Sequence, residues 1–277
     1  MDSMARIGSA PMETPMEPPL RAMASDERVR ARLPRMAEVV ADSLRSKILA
    51  GEIDVVPRLD ALIRQYDVGP PAAREALRIL ETEGLITVRR GNVGGAQVHL
   101  PTNEHIAYSL SLVLQATATT LADVGDALRQ LEPVCAAMCA TRDDRASTVV
   151  PVLRDLNDQQ AHAMGDRSTT WRITDAFHAA LVRECGNSTL VQVVGALERV
   201  WGSHAKAVLL ADDVDLAPER LWKAALKEHQ QITDAIEKGD ADRAAHLARR
   251  HLVGTHAYMS SVDDERMVAA SIVQRSV

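Results

Sequence analysis

The sequence predicts a mainly α protein in two parts: a small domain of three helices and a hairpin, then a larger all-helical bundle. Three observations predict it. At 277 residues the chain exceeds one ordinary small domain and suits two. Aromatic residues make up only 3% while Ala and Leu are plentiful, a balance that favours helices over sheets. Beyond residue 33 apolar residues recur at three- and four-residue spacing, and strand-like sequence is confined to one stretch around residues 85–100.

Residues 1–32, with PMETPMEPP and no period, read as a disordered leader, and the basic cluster Arg28, Arg30, Arg32 and Arg35 reads as solvated charges or, alternatively, as an N-terminal arm that contacts phosphates. The first helix follows from Met36, Val39, Val40, Leu44, Ile48 and Leu49, with Gly51 as its stop. Pro57 opens a second short helix through Leu59, Leu62, Ile63 and Tyr66. The turn Asp67-Val68-Gly69-Pro70-Pro71 ends it, because proline suits a helix start and not an interior. A third helix runs from about Pro71 to Glu83. LITVRR, GNVGG and AQVHL then give two short strands around a glycine-rich tip, Gly91 to Gly95. Three helices and a hairpin make a winged helix-turn-helix over 33–101, whose third helix enters a DNA major groove. Past the linker Pro101-Thr102-Asn103, helices are expected near 104–117, 121–141, 147–164, 169–185, 188–210, 217–238 and 240–260. They form a bundle over 104–262, with 263–277 as a flexible tail.

Composition excludes several classes. No apolar run reaches the roughly 20 residues of a bilayer span, and the start lacks a secretory core, so no membrane is involved and a cytoplasmic location is expected. Cys135, Cys139 and Cys185 form no CxxC pair and read as buried thiols. A net charge of −6 argues against a protein that coats nucleic acid indiscriminately, and residues 34–101 balance nine basic against nine acidic side chains. Sequence-specific binding needs only a local basic face. No HExxH, nucleophile elbow or phosphate loop is present, so an enzyme is not expected.

The runs VADSLRSKILAGEI, ALIRQYDV and AAREALRILETEGLITVRRGNVGGAQV, followed by FHAALVRECGNSTL and EHQQITDAIEKGDADRAAHLARRHL, resemble the GntR family of bacterial regulators. The branch is the FadR-like one with a helical FCD ligand-binding domain. The resemblance spans about residues 33–260 and implies a transcription regulator that binds a double-stranded DNA operator as a homodimer. It further implies a repressor released by a small-molecule effector. Arg74 keeps a family DNA-contact position. Arg58 stands beside Asp60, where the family has arginine, and Gly69-Pro70-Pro71 replaces the triplet whose arginine reads bases. Arg45, Arg89, Arg90, Asn92 and Gly91 complete the expected DNA face, the last four at the wing.

The family's metal site, one aspartate and three histidines, implies His178, His229 and His251, with His204 as a further expected ligand. Thr174 occupies the aspartate position, and Asp175, one residue on, lies about 100° round the helix. Neutral imidazoles from separate helices suit one zinc- or nickel-like ion. His162, His246 and His256 match nothing and are assigned to the surface. The family's carboxylate-binding arginine falls on Leu128, beside Arg129. That shifts the effector from an organic acid towards a more apolar metabolite, in a pocket with Arg129, Thr174 and Trp201, and with Trp171 and Trp222 as further walls. The rival readings are a regulator with weakened DNA binding that acts through protein partners, favoured by Asp60 and Pro70, and a metal-dependent enzyme.

Overall fold

The computed structural model describes residues 35–89, 95–209, 219–263 and 265–275. Helix α1 (Met36–Leu49) turns Val40, Ala41, Leu44 and Ile48 inward, and Gly51 follows its end at φ 71°, a left-handed conformation that costs glycine little. Strand β1 (Val55–Val56), α2 (Leu59–Tyr66), α3 (Pro70–Thr82), β2 (Ile86–Arg89) and β3 (Gly95–Val98) complete the first domain. Asp67 caps α2 at φ 49°, and Pro70 begins α3, where its missing N–H would have had no partner anyway. The three strands are antiparallel in the order β1-β3-β2, with Ala96 opposite both Val56 and Val88. Strand β1 was not expected: two residues are too few for alternation to declare itself.

Among the described residues the core of this domain is apolar throughout. Leu44, Ile48, Leu62, Leu80 and Ile86 are almost wholly buried, and each such side chain contributes about 1.5–3 kcal/mol. Arg45 closes its edge, placing Nε 2.8 Å and a terminal nitrogen 2.6 Å from the two oxygens of Glu83, so that α1 is tied to the residue that ends α3.

The second domain comprises α4 (Asn103–Ala116), α5 (Leu121–Thr141), α6 (Arg145–His162), α7 (Arg167–Arg183), α8 (Ser188–Leu209), α9 (Glu219–Glu237), α10 (Ala241–Asp263) and α11 (Ala270–Arg275). Helix α5 lies at its centre and touches α6 to α10. Pro133 interrupts its hydrogen-bond ladder, and the carbonyl of Arg129 that it leaves is met by Arg249 Nε of α10 at 3.5 Å. Gly125 lets the ring of Trp201 from α8 and the ring of His256 from α10 come close, since a Cβ there would stand 2.9 Å from each. Asn103 Nδ2 donates to the Val191 carbonyl at 3.2 Å, and Glu104 pairs with Arg199 at 2.8 Å, which fastens α4 to α8.

The end of the chain departs from expectation. Far from being a flexible tail, residues 265–275 pack against the domain: Leu121 N–H donates to Arg266 O at 2.7 Å, Val268 N–H to Thr119 O at 3.0 Å, and α11 lies on α4 and α8. Val268 and Val273 are buried. Too few apolar residues recur there for a period to appear. The leader 1–32 lies outside the described residues, and no described helix is long and apolar enough to cross a membrane.

Candidate functional site

Arg74, on the second turn of α3, is exposed, and the first turn carries no acidic residue. Arg58 is the N-cap residue of α2 and exposed, one position before Leu59 and two before Asp60, whose carboxylate pairs with Arg64 at 3.0 Å and is held below the usual aspartate range by it. Arg45 does not join these two. Its guanidinium is occupied by Glu83 and Asp42, a fastening within the domain. Arg90, Gly91 and Asn92 lie outside the described residues, as does the side chain of Arg89.

In the helical domain three histidines converge. His178 comes from α7, His229 from α9 and His251 from α10, all buried. His251 Nε2 lies 3.2 Å from His229 Nε2 and 3.3 Å from His178 Nε2. The outer ring nitrogens are each anchored: His178 Nδ1 to Glu132 Oε1 at 2.7 Å, His229 Nδ1 to Gln160 Oε1 at 2.9 Å, and His251 Nδ1 to Glu228 Oε2 at 2.8 Å. Phe177 stacks on His229 with ring centroids 4.0 Å apart and fixes that plane. Oxygens accept from all three Nδ1 atoms, so each hydrogen sits on Nδ1 and three Nε2 lone pairs face one another. Burial holds His229 well below the usual histidine range and lowers His251, which keeps both rings neutral.

This arrangement fits a metal ion. Ligand nitrogens about 2.0–2.1 Å from a tetrahedral ion stand about 3.3–3.4 Å apart, close to the two separations measured. Histidines whose far nitrogen is held by an oxygen are the usual ligating form. His178, His229 and His251 supply three donors, and Thr174, whose buried hydroxyl has no hydrogen-bond partner, lines cavities that His251 and His178 also line. Among the described residues Asp175 belongs to no ligand group. Its carboxylate lies against Gly202 of α8, at a point that any Cβ there would overlap, and burial raises its pKa.

His204, expected as a ligand, stands elsewhere. Its Nδ1 donates to Val200 O at 2.8 Å and its Nε2 accepts from Ala269 N–H at 2.9 Å, so it receives the segment leading into α11. His256, assigned to the surface, is buried against Trp201 with centroids 4.1 Å apart. Arg129 pairs with Asp126 and is absent from the cavity walls, whereas Thr174 and Trp201 are both in them. His162 and His246 are exposed as expected. The three cysteines are buried free thiols, and burial pushes that of Cys139 up to about 12.

Sequence reasoning missed Glu132 and Glu198. Both are buried, both are raised by burial, and with His178 they offer three donor atoms within 4.8 Å of one another. A signal was present: Glu132 sits between Leu128 and Ala136 on an otherwise apolar face, where an acid needs a partner.

A helix-turn-helix with a wing, followed by a helical domain that brings histidines to an apolar cavity, defines a regulator with separate DNA-binding and ligand-binding halves. Residues 36–94 match the family described as bacterial regulatory proteins of the gntR family, and residues 123–254 match the FCD domain. The chain belongs to the GntR family, with an FCD domain as its helical half. It is 26% identical over 253 residues to the protein described as an L-lactate dehydrogenase operon regulatory protein of Escherichia coli K12, spanning 87% of this chain and 92% of that one. It is 25% identical to the HTH-type transcriptional repressor GlaR of the same organism, over 76% of this chain and 89% of that one. A GntR structure from Streptococcus agalactiae shares the fold, with a TM-score of 0.62 at 22% identity over 80% of this chain and 99% of that one. These relatives are regulators rather than enzymes.

Proposed function

We propose that this GntR-family regulator acts as a homodimeric repressor that an effector bound in the helical domain releases from its operator. The observation that carries the reading is the pairing, in one chain, of an exposed Arg74 on the recognition helix with a buried three-histidine cluster beside a cavity. One winged helix makes too few contacts for selective binding, and two, set one helical turn apart, match a palindromic site. Effector binding favours a dimer in which that spacing is lost. His178, His229 and His251 would hold one zinc- or nickel-like ion, which when bound would supply a positive charge to the interior of the helical domain. Glu132, Gln160 and Glu228 keep the three rings oriented for it.

A second reading has a specific observation behind it. The first turn of α3 carries two prolines and no basic residue, and Asp60 spends its charge on Arg64, so DNA contact is thinner than in a helix that begins on arginine. On that reading the protein works through protein partners.

Selection of bound genomic fragments at physiological salt separates the two. The repressor reading expects a shared palindrome, weakened about tenfold or more by Arg74→Ala, since a good bidentate contact is worth about 1–3 kcal/mol. Enrichment of no sequence supports the second reading. Elemental analysis of purified protein tests the ion: about one per chain is expected, and none in His229→Ala. Metal-free wild type refutes it.

A further inference from the structure

Residues 265–275 lie beyond both family matches, 36–94 and 123–254, and form a strap across the helical domain. Leu121 N–H donates to Arg266 O at 2.7 Å, Val268 N–H to Thr119 O at 3.0 Å, and Ala270 N–H to Gln115 Oε1 at 2.9 Å. Ala269 N–H, between them, donates to an imidazole, Nε2 of His204 on α8, at 2.9 Å. Val268, Ala270 and Val273 are buried by this docking. The turn that the strap braces is strained, because Ala118 stands at φ 51°, a left-handed conformation that a side chain adopts only at a cost.

Thr119 O, Arg266 O and Gln115 Oε1 accept whether the solution is neutral or mildly acid. His204 does not. A backbone N–H only donates, so the Nε2 that meets Ala269 carries a lone pair, and Nδ1 carries the hydrogen that goes to Val200 O at 2.8 Å. A proton added at Nε2 sets donor against donor, on a ring that is fully buried. Burial lowers the pKa of this histidine below its usual range, the bond to Val200 works against that, and the positive charge of Arg266 adds to it. Among the described residues Arg266, on the strap itself, is the one charged side chain that acts on the ring. On the helices packed against α8, Glu104 of α4 is paired with Arg199, His105 of α4 bonds Thr102, Asp123 of α5 is exposed, and Asp175 of α7 lies against Gly202. Lys206, on α8, is exposed. No carboxylate is placed to offset an imidazolium there.

We infer that residues 265–275 form an acid-released strap with His204 as its catch: the neutral ring holds Ala269, and the ring protonated at Nε2 lets the segment leave α4 and α8. Once undocked, the ring takes its proton near the ordinary histidine value, about 6.5, whereas the docked ring resists it. Docking therefore has its full strength above about pH 6.5. Below that it weakens by up to about tenfold in its equilibrium constant per pH unit, until the docked ring itself titrates. Release bares Val268 and Val273 with their seats on α4 and α8, and it unbraces the turn at Ala118. None of the three clustered histidines takes part, so the device stands whether or not an ion is bound.

Hydrogen exchange of the full-length protein tests this, read by mass spectrometry between pH 7 and 5 and corrected for the intrinsic pH dependence of exchange. Peptides over 265–275 are expected to lose protection about tenfold or more across that range. At pH 5 they are expected to exchange ahead of peptides from α6, which report unfolding of the whole domain. His256 is also buried neutral, so the series is repeated in His256→Asn, where the loss at the strap is expected to persist. In His204→Gln, whose side chain accepts from Ala269 without taking a proton, the loss is expected to vanish, and thermal melting at pH 7 checks that this variant is folded. A loss confined to the strap in both wild type and His256→Asn supports the proposal without that variant. Strap protection that stays constant from pH 7 to 5 overturns it, as does a strap that exchanges only together with α6. A loss that folded His204→Gln still shows overturns it as well.

Discussion

The two halves of this protein place their polarity in opposite ways. Among the described residues of the winged helix every buried side chain is apolar, and ion pairs such as Arg45 with Glu83 and Arg64 with Asp60 lie at the surface. In the helical domain acids, amides and imidazoles are sealed inside, among them Glu132, Gln160, His178, Glu198, His229 and His251. A buried polar group costs stability unless it is bonded. The first half is thus organised to hold a shape that presents Arg74, and the second offsets its internal polarity with bonds such as those of His178 to Glu132 and His229 to Gln160.

The contrast predicts that the largest effects follow from disturbing the helical domain. Deleting residues 265–277 removes the buried Val268 and Val273 and leaves His204 Nε2 without its donor, a loss of about 4–9 kcal/mol when two buried valines and one orphaned polar atom are added. Calorimetry is expected to show the helical transition moved down and the winged-helix transition in place, and two equally shifted transitions would break the contrast.

His256 gives the next effect. Burial holds its pKa at about 3 in the folded protein, against about 6.5 in the unfolded chain. Between those values the unfolded chain holds a proton that the folded one lacks, so stability present above pH 6.5 is lost as pH falls. The slope is about 1.4 kcal/mol per pH unit, and the loss approaches about 5 kcal/mol at the acid end. Urea unfolding of His256→Asn from pH 7 to 4 is expected to show a slope shallower by about one proton; an unchanged slope rules the histidine out.

Gly125→Ala is smaller. The added methyl meets the rings of His256 and Trp201 at 2.9 Å, and forcing them apart costs about 1–3 kcal/mol, less the fraction a helix gains on losing glycine. An unaltered urea midpoint would mean that α5 and α10 yield more easily than their packing indicates. Smallest is Arg45→Ala, about 1 kcal/mol or less, because the pair it breaks is partly exposed. Its effect belongs to the winged helix alone, and operator binding is expected to survive once allowance is made for stability. A specific loss of binding would return Arg45 to the DNA face.

Helices α1 to α10 were legible in the sequence because glycine, proline and capping residues punctuate long apolar periods. Strand β1 and helix α11 were not, being shorter than the periods that would reveal them. The site was legible in part. His178, His229 and His251 carry family context that survives folding, whereas His204 shared only its residue type, and the Ala269 N–H that occupies it lies 65 residues away. Glu132 and Glu198 were hidden because pairing with a histidine and with each other is a relation between α5, α7 and α8 that no local pattern records.

The docked end of the chain also has a practical side. Helix α11 rests against α4, the first helix after the winged domain, and the Thr120–Met267 bridge ties the two ends of the helical half together. Ala270 N–H donates to Gln115 Oε1 at 2.9 Å, so α11 begins at the end of α4 that lies farther along the chain from the winged domain, packed on the helical half. A bulky tag fused after this segment therefore loads the packing of α11 on α4 and α8, and with it the His204 hydrogen bond to Ala269.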